Sequence, residues 1–304
     1  MSIAIKTEQL SKTYGTKTAL SDCSISLPKQ HIIGLVGPNG AGKTTLINLI
    51  MGLLMPDSGK LQVLGLDPIK ESSKLLPRIG FVSQERALYR DLTVSEMLKF
   101  GKKLNPGFDS PYALSYLERL DIPLKTRVKN LSGGMKAHLA IILALAKRPE
   151  LLVMDEPFAN LDPLARHQLL QLIAESTVGE GNSVLISTHD ISELEKVCDT
   201  LVLINRSRVL LCGDIESLLA THKWITLTPE DANKAAETLS ILSVEKAQRA
   251  HRLLVRINGI TEFFHMPEPV ESTNLEELIL AYLALNHQEV ESLNSKFTHQ
   301  ELIS

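Results

Sequence analysis

Short apolar runs alternate with longer stretches of helical periodicity along the first two thirds of the chain, and that alternation predicts the fold class. The runs at 31–36, 79–82, 151–154 and 183–186 are almost free of polar residues. Strands buried on both faces read this way, whereas a strand with one wet face alternates. Two further strands are predicted at 3–10 and 24–27, ahead of the first of these runs. Helices are predicted from 43 to about 54, closed by Pro56, and over 93–103, 111–120 and 133–147. Apolar strands separated by helices imply an α/β fold with a mainly parallel sheet core, preceded by N-terminal antiparallel β elements. Between about 85 and 150 the strand signal disappears, which predicts an inserted helical subdomain. The run 200–211 reads as a hairpin turning at 205–207.

Beyond about residue 220 the pattern loosens. Strands at 224–227 and 253–257 and helices at 231–240 and 274–285 suggest a small α+β C-terminal appendage over 221–304, with a polar tail after Asn286. The expected division is therefore 1–220 and 221–304. Charge changes at the same place: 221–304 carry 12 Asp and Glu against 7 Lys and Arg, and the first 220 residues carry 23 and 25. No Gly- or Pro-rich linker marks the boundary, and no internal repeat is evident.

Composition narrows the function classes. A chain of 304 residues with 44% hydrophobic content can fill a sizeable core. A formal net charge of −3 gives no basic field for nucleic acid or anionic lipid, so no direct nucleic-acid partner is expected. Cys23, Cys198 and Cys212 are odd in number, scattered and without metal-ligand spacing, which favours reduced, buried thiols in a cytosolic protein. No run approaches the roughly 20 apolar residues of a bilayer span, and the N-terminus lacks the pattern of a signal peptide.

The chemistry begins at Gly37-Pro38-Asn39-Gly40-Ala41-Gly42-Lys43-Thr44, which follows an apolar strand and opens a helix. The pattern G-x-x-x-x-G-K-[ST] in that setting marks a loop that wraps nucleotide phosphates. Its glycines let successive backbone N–H groups point inward, and the helix beginning near Lys43 adds a positive dipole end, so 37–44 and the adjoining Thr45 are the expected ATP-binding residues. Lys43 is expected to reach the β- and γ-phosphates, and the Thr44 hydroxyl to ligate Mg²⁺. A second strand, 151–154, ends in Asp155 and Glu156. Two carboxylates so placed can hold Mg²⁺ (Asp155) and polarise the attacking water (Glu156). No Asn-Lys-x-Asp guanine-reading motif follows, which disfavours a simple GTPase.

Leu131-Ser132-Gly133-Gly134, placed before a helix and about 20 residues ahead of Asp155, resembles the signature motif of the ABC-type ATPases. The resemblance covers roughly 3–220 and extends to Tyr14, Gln84, Asn160-Leu161-Asp162 and Ser187-Thr188-His189. It implies that two cassettes pack head to tail as a homodimer, each ATP lying between one phosphate loop and the partner's Ser132, Gly133 and Gly134. It further implies adenine stacking on Tyr14, Mg²⁺ or water contact by Gln84, a γ-phosphate contact by His189, and communication across the dimer by Asp162. For Tyr14 a place in the core is the alternative, and for Asp162 the capping of the next helix.

Met135 stands where the family most often has Gln, and Lys136-Ala137-His138 replaces a commoner Arg-rich run. This form resembles single-cassette ATPases that serve exporters with a separately encoded permease, at the cytoplasmic face of the membrane. Two other readings stand beside it: a soluble ABC-type ATPase acting on nucleic acid or ribosomes, and the ATPase of a membrane-coupled sensing complex. In the appendage, His222, His251 and His265 lack metal-site spacing, Phe263-Phe264 reads as a local core contact, and 274–282 resembles the closing helix of many exporter ATPases.

Overall fold

The computed structural model describes residues 2–257 and 270–285. The polar tail, Phe263-Phe264 and His265 lie outside them. Among the described residues three sheets organise the fold. The largest has six strands: β3 (Ile32–Val36), β5 (Ile79–Val82), β6 (Leu151–Asp155), β7 (Ser183–Thr188), β8 (Thr200–Asn205) and β9 (Arg208–Asp214). Their order is β5-β6-β7-β3-β8-β9, parallel as far as β8, with β9 returning antiparallel. The turn from β8 to β9 uses Arg206 and Ser207, both left-handed (φ 46° and 69°), which suits a tight hairpin.

Burial follows the pleat of β6 and β7. Leu152 and Met154 of β6 and Val184 and Ile186 of β7 enter one core, while Leu151, Val153 and Leu185 enter the core on the opposite face. The first face is covered by α3 (Val94–Leu104), α4 (Ser110–Arg119), α5 (Gly133–Leu145) and α6 (Pro163–Glu180). The second is covered by α1 (Lys43–Ile50) and a three-stranded antiparallel sheet of β1 (Ile3–Tyr14), β2 (Lys17–Pro28) and β4 (Ser58–Val63), in the order β2-β1-β4. Short helices α2 (Ser72–Leu75) and α7 (Ile191–Leu194) complete this part.

Register positions the site. Val82 pairs with Met154, Asp155 with Ser187, and Thr188 with Val36. The loops after β5, β6, β7 and β3 therefore open side by side at the carboxyl edge of the sheet, where α/β folds bind ligands.

Some elements differ from the sequence expectation. α1 stops at Ile50 rather than near 54, because Gly52 turns left-handed (φ 67°) and a Cβ there would sit 2.5 Å from the Pro68 carbonyl oxygen. β1 and β2 run well past their apolar parts, and β4 has only Leu61 and Val63 buried. Downstream, α8 (Ile215–Thr221) passes directly into β10 (His222–Leu227). α9 (Pro229–Thr238), β11 (Ser240–Lys246), β12 (His251–Arg256), β13 (Val270–Ser272) and α10 (Leu275–Ala284) follow. The four strands form an antiparallel sheet in the order β11-β12-β10-β13. Segment 240–246 is thus a strand where the helix 231–240 had been expected to end. His222 is fully buried, its ring held by the Leu218 carbonyl at 2.6 Å and the Tyr282 hydroxyl at 3.0 Å, and burial lowers its pKa to about 4. It is a neutral core histidine. The three cysteines are free, and burial raises the Cys23 thiol to about 11.

Candidate active site

The carboxyl edge of the sheet encloses a cavity of about 300 Å³. Tyr14, Asn39, Gly40, Gly42, Lys43, Thr44, Thr45, Gln84, Glu156 and His189 line it, so ten of the sequence-derived candidates meet in one place. Lys17, Ala19 and Ala159 line it as well and were not singled out from sequence. Lys17 lies just past the β1–β2 turn, three residues after Tyr14, and that proximity was the available clue.

The loop itself is shaped by close backbone approach. Gly37 packs so tightly that a Cβ would sit 2.0 Å from the Ile204 carbonyl oxygen, and one at Gly42 (φ 118°) would sit 2.4 Å from that of Ala19. Ala41 is buried, whereas Pro38, Asn39 and Gly40 are exposed at the crest. Lys43 is almost wholly buried; its ammonium donates to the Gly37 carbonyl at 2.7 Å and lies 3.6 Å from Glu156 Oε1.

Glu156 stands at the first position after β6 in a left-handed conformation (φ 49°). Its backbone N–H donates to Ser187 Oγ at 2.9 Å, and Oε2 meets His189 Nδ1 at 2.9 Å. An ionised carboxylate only accepts, so Nδ1 carries the proton in that contact. Asp155 is buried beneath and accepts from the Ser187 hydroxyl at 2.5 Å. Ser187 thus ties the ends of β6 and β7 together. In the sequence it stands only as the first residue of Ser187-Thr188-His189, and the pattern assigns it no task of its own.

The remaining candidates lie elsewhere. Ser132 caps α5, accepting from the Met135 N–H at 3.1 Å, and Asp162 caps α6, accepting from the Ala165 N–H at 2.9 Å. The capping alternative for Asp162 is therefore what its side chain does in this chain. Ser132 and Gly133 are exposed, whereas Gly134 is pressed against α6, a Cβ there falling 2.8 Å from that of Ala165. Tyr14 is 47% exposed, which leaves its ring on the surface of the cavity rather than in the core.

A buried lysine in a glycine loop, a strand-end acid pair and a parallel sheet define a P-loop nucleoside triphosphatase. Comparison with known proteins gives the family. The sequence model described as ABC transporter matches residues 20–159. The linearmycin resistance ATP-binding protein LnrL of Bacillus subtilis (strain 168) is 37% identical, the match covering 76% of each chain. The Nod factor export ATP-binding protein I of Mesorhizobium japonicum is 31% identical over 99% of this chain and 88% of its own. Among solved structures, an ATP binding subunit of an ABC transporter superposes with a TM-score of 0.65 at 29% identity, covering 71% of this chain and 92% of the other. The protein belongs to the ABC transporter family, as an ATP-binding, ATP-hydrolysing subunit.

Proposed function

We propose that this chain powers export through a separate, membrane-embedded permease, working as a homodimer at the cytoplasmic face of the membrane. Residues 1–220 serve as the cassette and 221–304 as its appendage. The observation that carries the hydrolytic part is the meeting of Lys43, Gln84, Glu156 and His189 in one cavity. Lys43 neutralises the β- and γ-phosphates, Glu156 draws a proton from the attacking water, and His189 orients that carboxylate from its far oxygen. Tyr14 offers its exposed ring to the adenine.

The residues suit Mg²⁺. Among the described residues no cluster of three His, Cys, Asp or Glu could cage a metal unaided. That fits an ion which keeps waters and substrate phosphates and takes only one or two oxygens from the protein. Thr44, Gln84 and Asp155 would hold it, and bound there it would offset charge on the transferring phosphate.

Export is supported by the relatives' names, which speak of export and of resistance. No described helix is long and apolar enough to cross a membrane. A second cavity of about 540 Å³, lined by Leu76, Phe81, Leu88, Tyr89, Phe100 and Phe108 among others, lies where α3 and α5 meet the sheet and is the surface we assign to the permease. Ser132 and Gly133 are exposed at a helix N-terminus, and neither lines the cavity of its own chain, which supports phosphate contact in a second copy.

The test is Glu156→Gln. It should bind ATP normally while hydrolysis falls roughly 10²–10⁴-fold, the contribution of a positioned base. Near-parental turnover in that variant, or in Lys43→Ala, would overturn the assignment.

A further inference from the structure

The chain from Ser83 to Arg86 is a wall between two cavities. Gln84 faces the phosphate cavity, and Ser83 and Arg86 face the apolar one. Arg86 is half-buried and left-handed (φ 47°), and its Nη2 donates to the Pro157 carbonyl at 2.9 Å and the Ala159 carbonyl at 2.7 Å. Those carbonyls belong to the stretch that leaves Glu156. Within it, the Glu156 and Phe158 carbonyls accept from the N–H groups of Ala159 and Leu161. Pro157 and Ala159 are thus the alternate carbonyls, and Arg86 takes both.

Two features set Arg86 apart from a space-filling residue. Its Nε is buried without a hydrogen-bond partner, a cost that an apolar side chain of similar length would avoid. The stretch it grips is bracketed by left-handed Glu156 (φ 49°) and Asn160 (φ 59°), a backbone that needs outside restraint to hold one shape.

We propose that Arg86 is a positioning residue for ATP hydrolysis, clamping the backbone after Glu156 to the loop that carries Gln84 and so fixing the separation of two groups that face the γ-phosphate. This rests on the roles assigned to Glu156 and Gln84 above. Because the clamp acts through Glu156, its loss should lower kcat and leave ATP affinity alone.

The test is a double-mutant cycle on the full chain. Arg86→Met should lower kcat about tenfold or more, toward the roughly 10²-fold that a 1 Å misplacement can cost, with the Kd for ATP within about twofold of the parent. In a Glu156→Gln background, measured by single turnover of radiolabelled ATP, the same substitution should change the residual rate less than about twofold. Arg86→Lys, which keeps a cationic donor on a shorter stem, should recover part of the rate. A parental kcat, a parallel loss of affinity and rate, or full multiplication of the two losses would each overturn the clamp. Should Arg86→Met fail to fold, Arg86→Lys decides, and a kcat within about twofold of the parent overturns it. If Glu156→Gln alone retains turnover, the assignment of the site falls and the clamp with it; if that variant is inactive and only the cycle fails, the clamp alone falls.

Discussion

Glu193, four residues beyond His189, should make the protein lose stability as pH rises through the mildly acidic range. Its side chain is 2% exposed and pairs with Arg166 at 2.7 Å, while Asp190 and Glu156 add like charge nearby. Desolvation is the largest influence, outweighing the attraction of Arg166, and the pKa rises from 4.5 to about 6. A raised carboxylate favours the protonated form in the folded state. Its contribution is therefore most favourable below the unfolded value and is withdrawn as pH climbs from about 4.5 through 6. At about 1.4 kcal/mol per unit the whole effect is about 2 kcal/mol. Other carboxylates, such as Glu150 and Glu175, are lowered by their arginines and act in the opposite sense, so the raw stability curve is not diagnostic. The difference from Glu193→Gln is. The amide keeps the shape: its single oxygen can accept from Arg166 and its NH2 can donate to the Thr188 hydroxyl, and it does not titrate. The melting temperature of the parent minus that of the variant, followed from pH 4.5 to 7.5, should fall by roughly 3–6 °C. Parallel curves, or a parent that gains on the variant as pH rises, would refute the reasoning.

Two further substitutions bear on the loop and the dimer. Gly37→Ala places a methyl 2.0 Å from the Ile204 carbonyl oxygen, so backbone must move; ATP binding by equilibrium dialysis should weaken at least tenfold, well beyond the effect of a surface change of equal size. Ser132→Arg in a Glu156→Gln background should leave a folded monomer that binds nucleotide yet no longer dimerises with ATP, as read by size-exclusion with light scattering. Dimers as stable as those of Glu156→Gln alone would contradict the head-to-tail arrangement.

What the sequence disclosed and what it withheld follow one physical distinction. The central strands were legible because burial on both faces leaves no polar residue to interrupt them, as in Leu151-Leu152-Val153-Met154. β4 was not, since Ser58-Gly59-Lys60 is exposed and only Leu61 and Val63 reach the core. Likewise the polar second half of β1 is held in place by its partners β2 and β4, not by its own pattern. The phosphate loop was legible because its chemistry is local. Arg86 and Ser187 were not, because each acts on residues roughly thirty to seventy positions away, and nothing in a linear spacing announces a carbonyl in a distant loop or a carboxylate at the end of a neighbouring strand. Among the described residues beyond 220 the mixture of strand and helix was readable, but β11 was hidden by its charged, exposed end at Glu245 and Lys246.

The direct passage from α8 into β10 has a consequence for inheritance and engineering. Leu218, Trp224, Leu254, Leu278 and Ile279 share one core with Leu194, Leu201, Leu203 and Leu211. A protein shortened after Ala220 would turn the apolar flank of β8 and β9 toward water, inviting aggregation rather than yielding a trimmed enzyme. A C-terminal part borrowed from a relative would need matching side chains at Leu194, Leu210 and Leu211 to seat. The core positions beyond 220 that join this seam can diverge only in step with the edge of the catalytic sheet, and a graft that ignores them would be rejected by the fold.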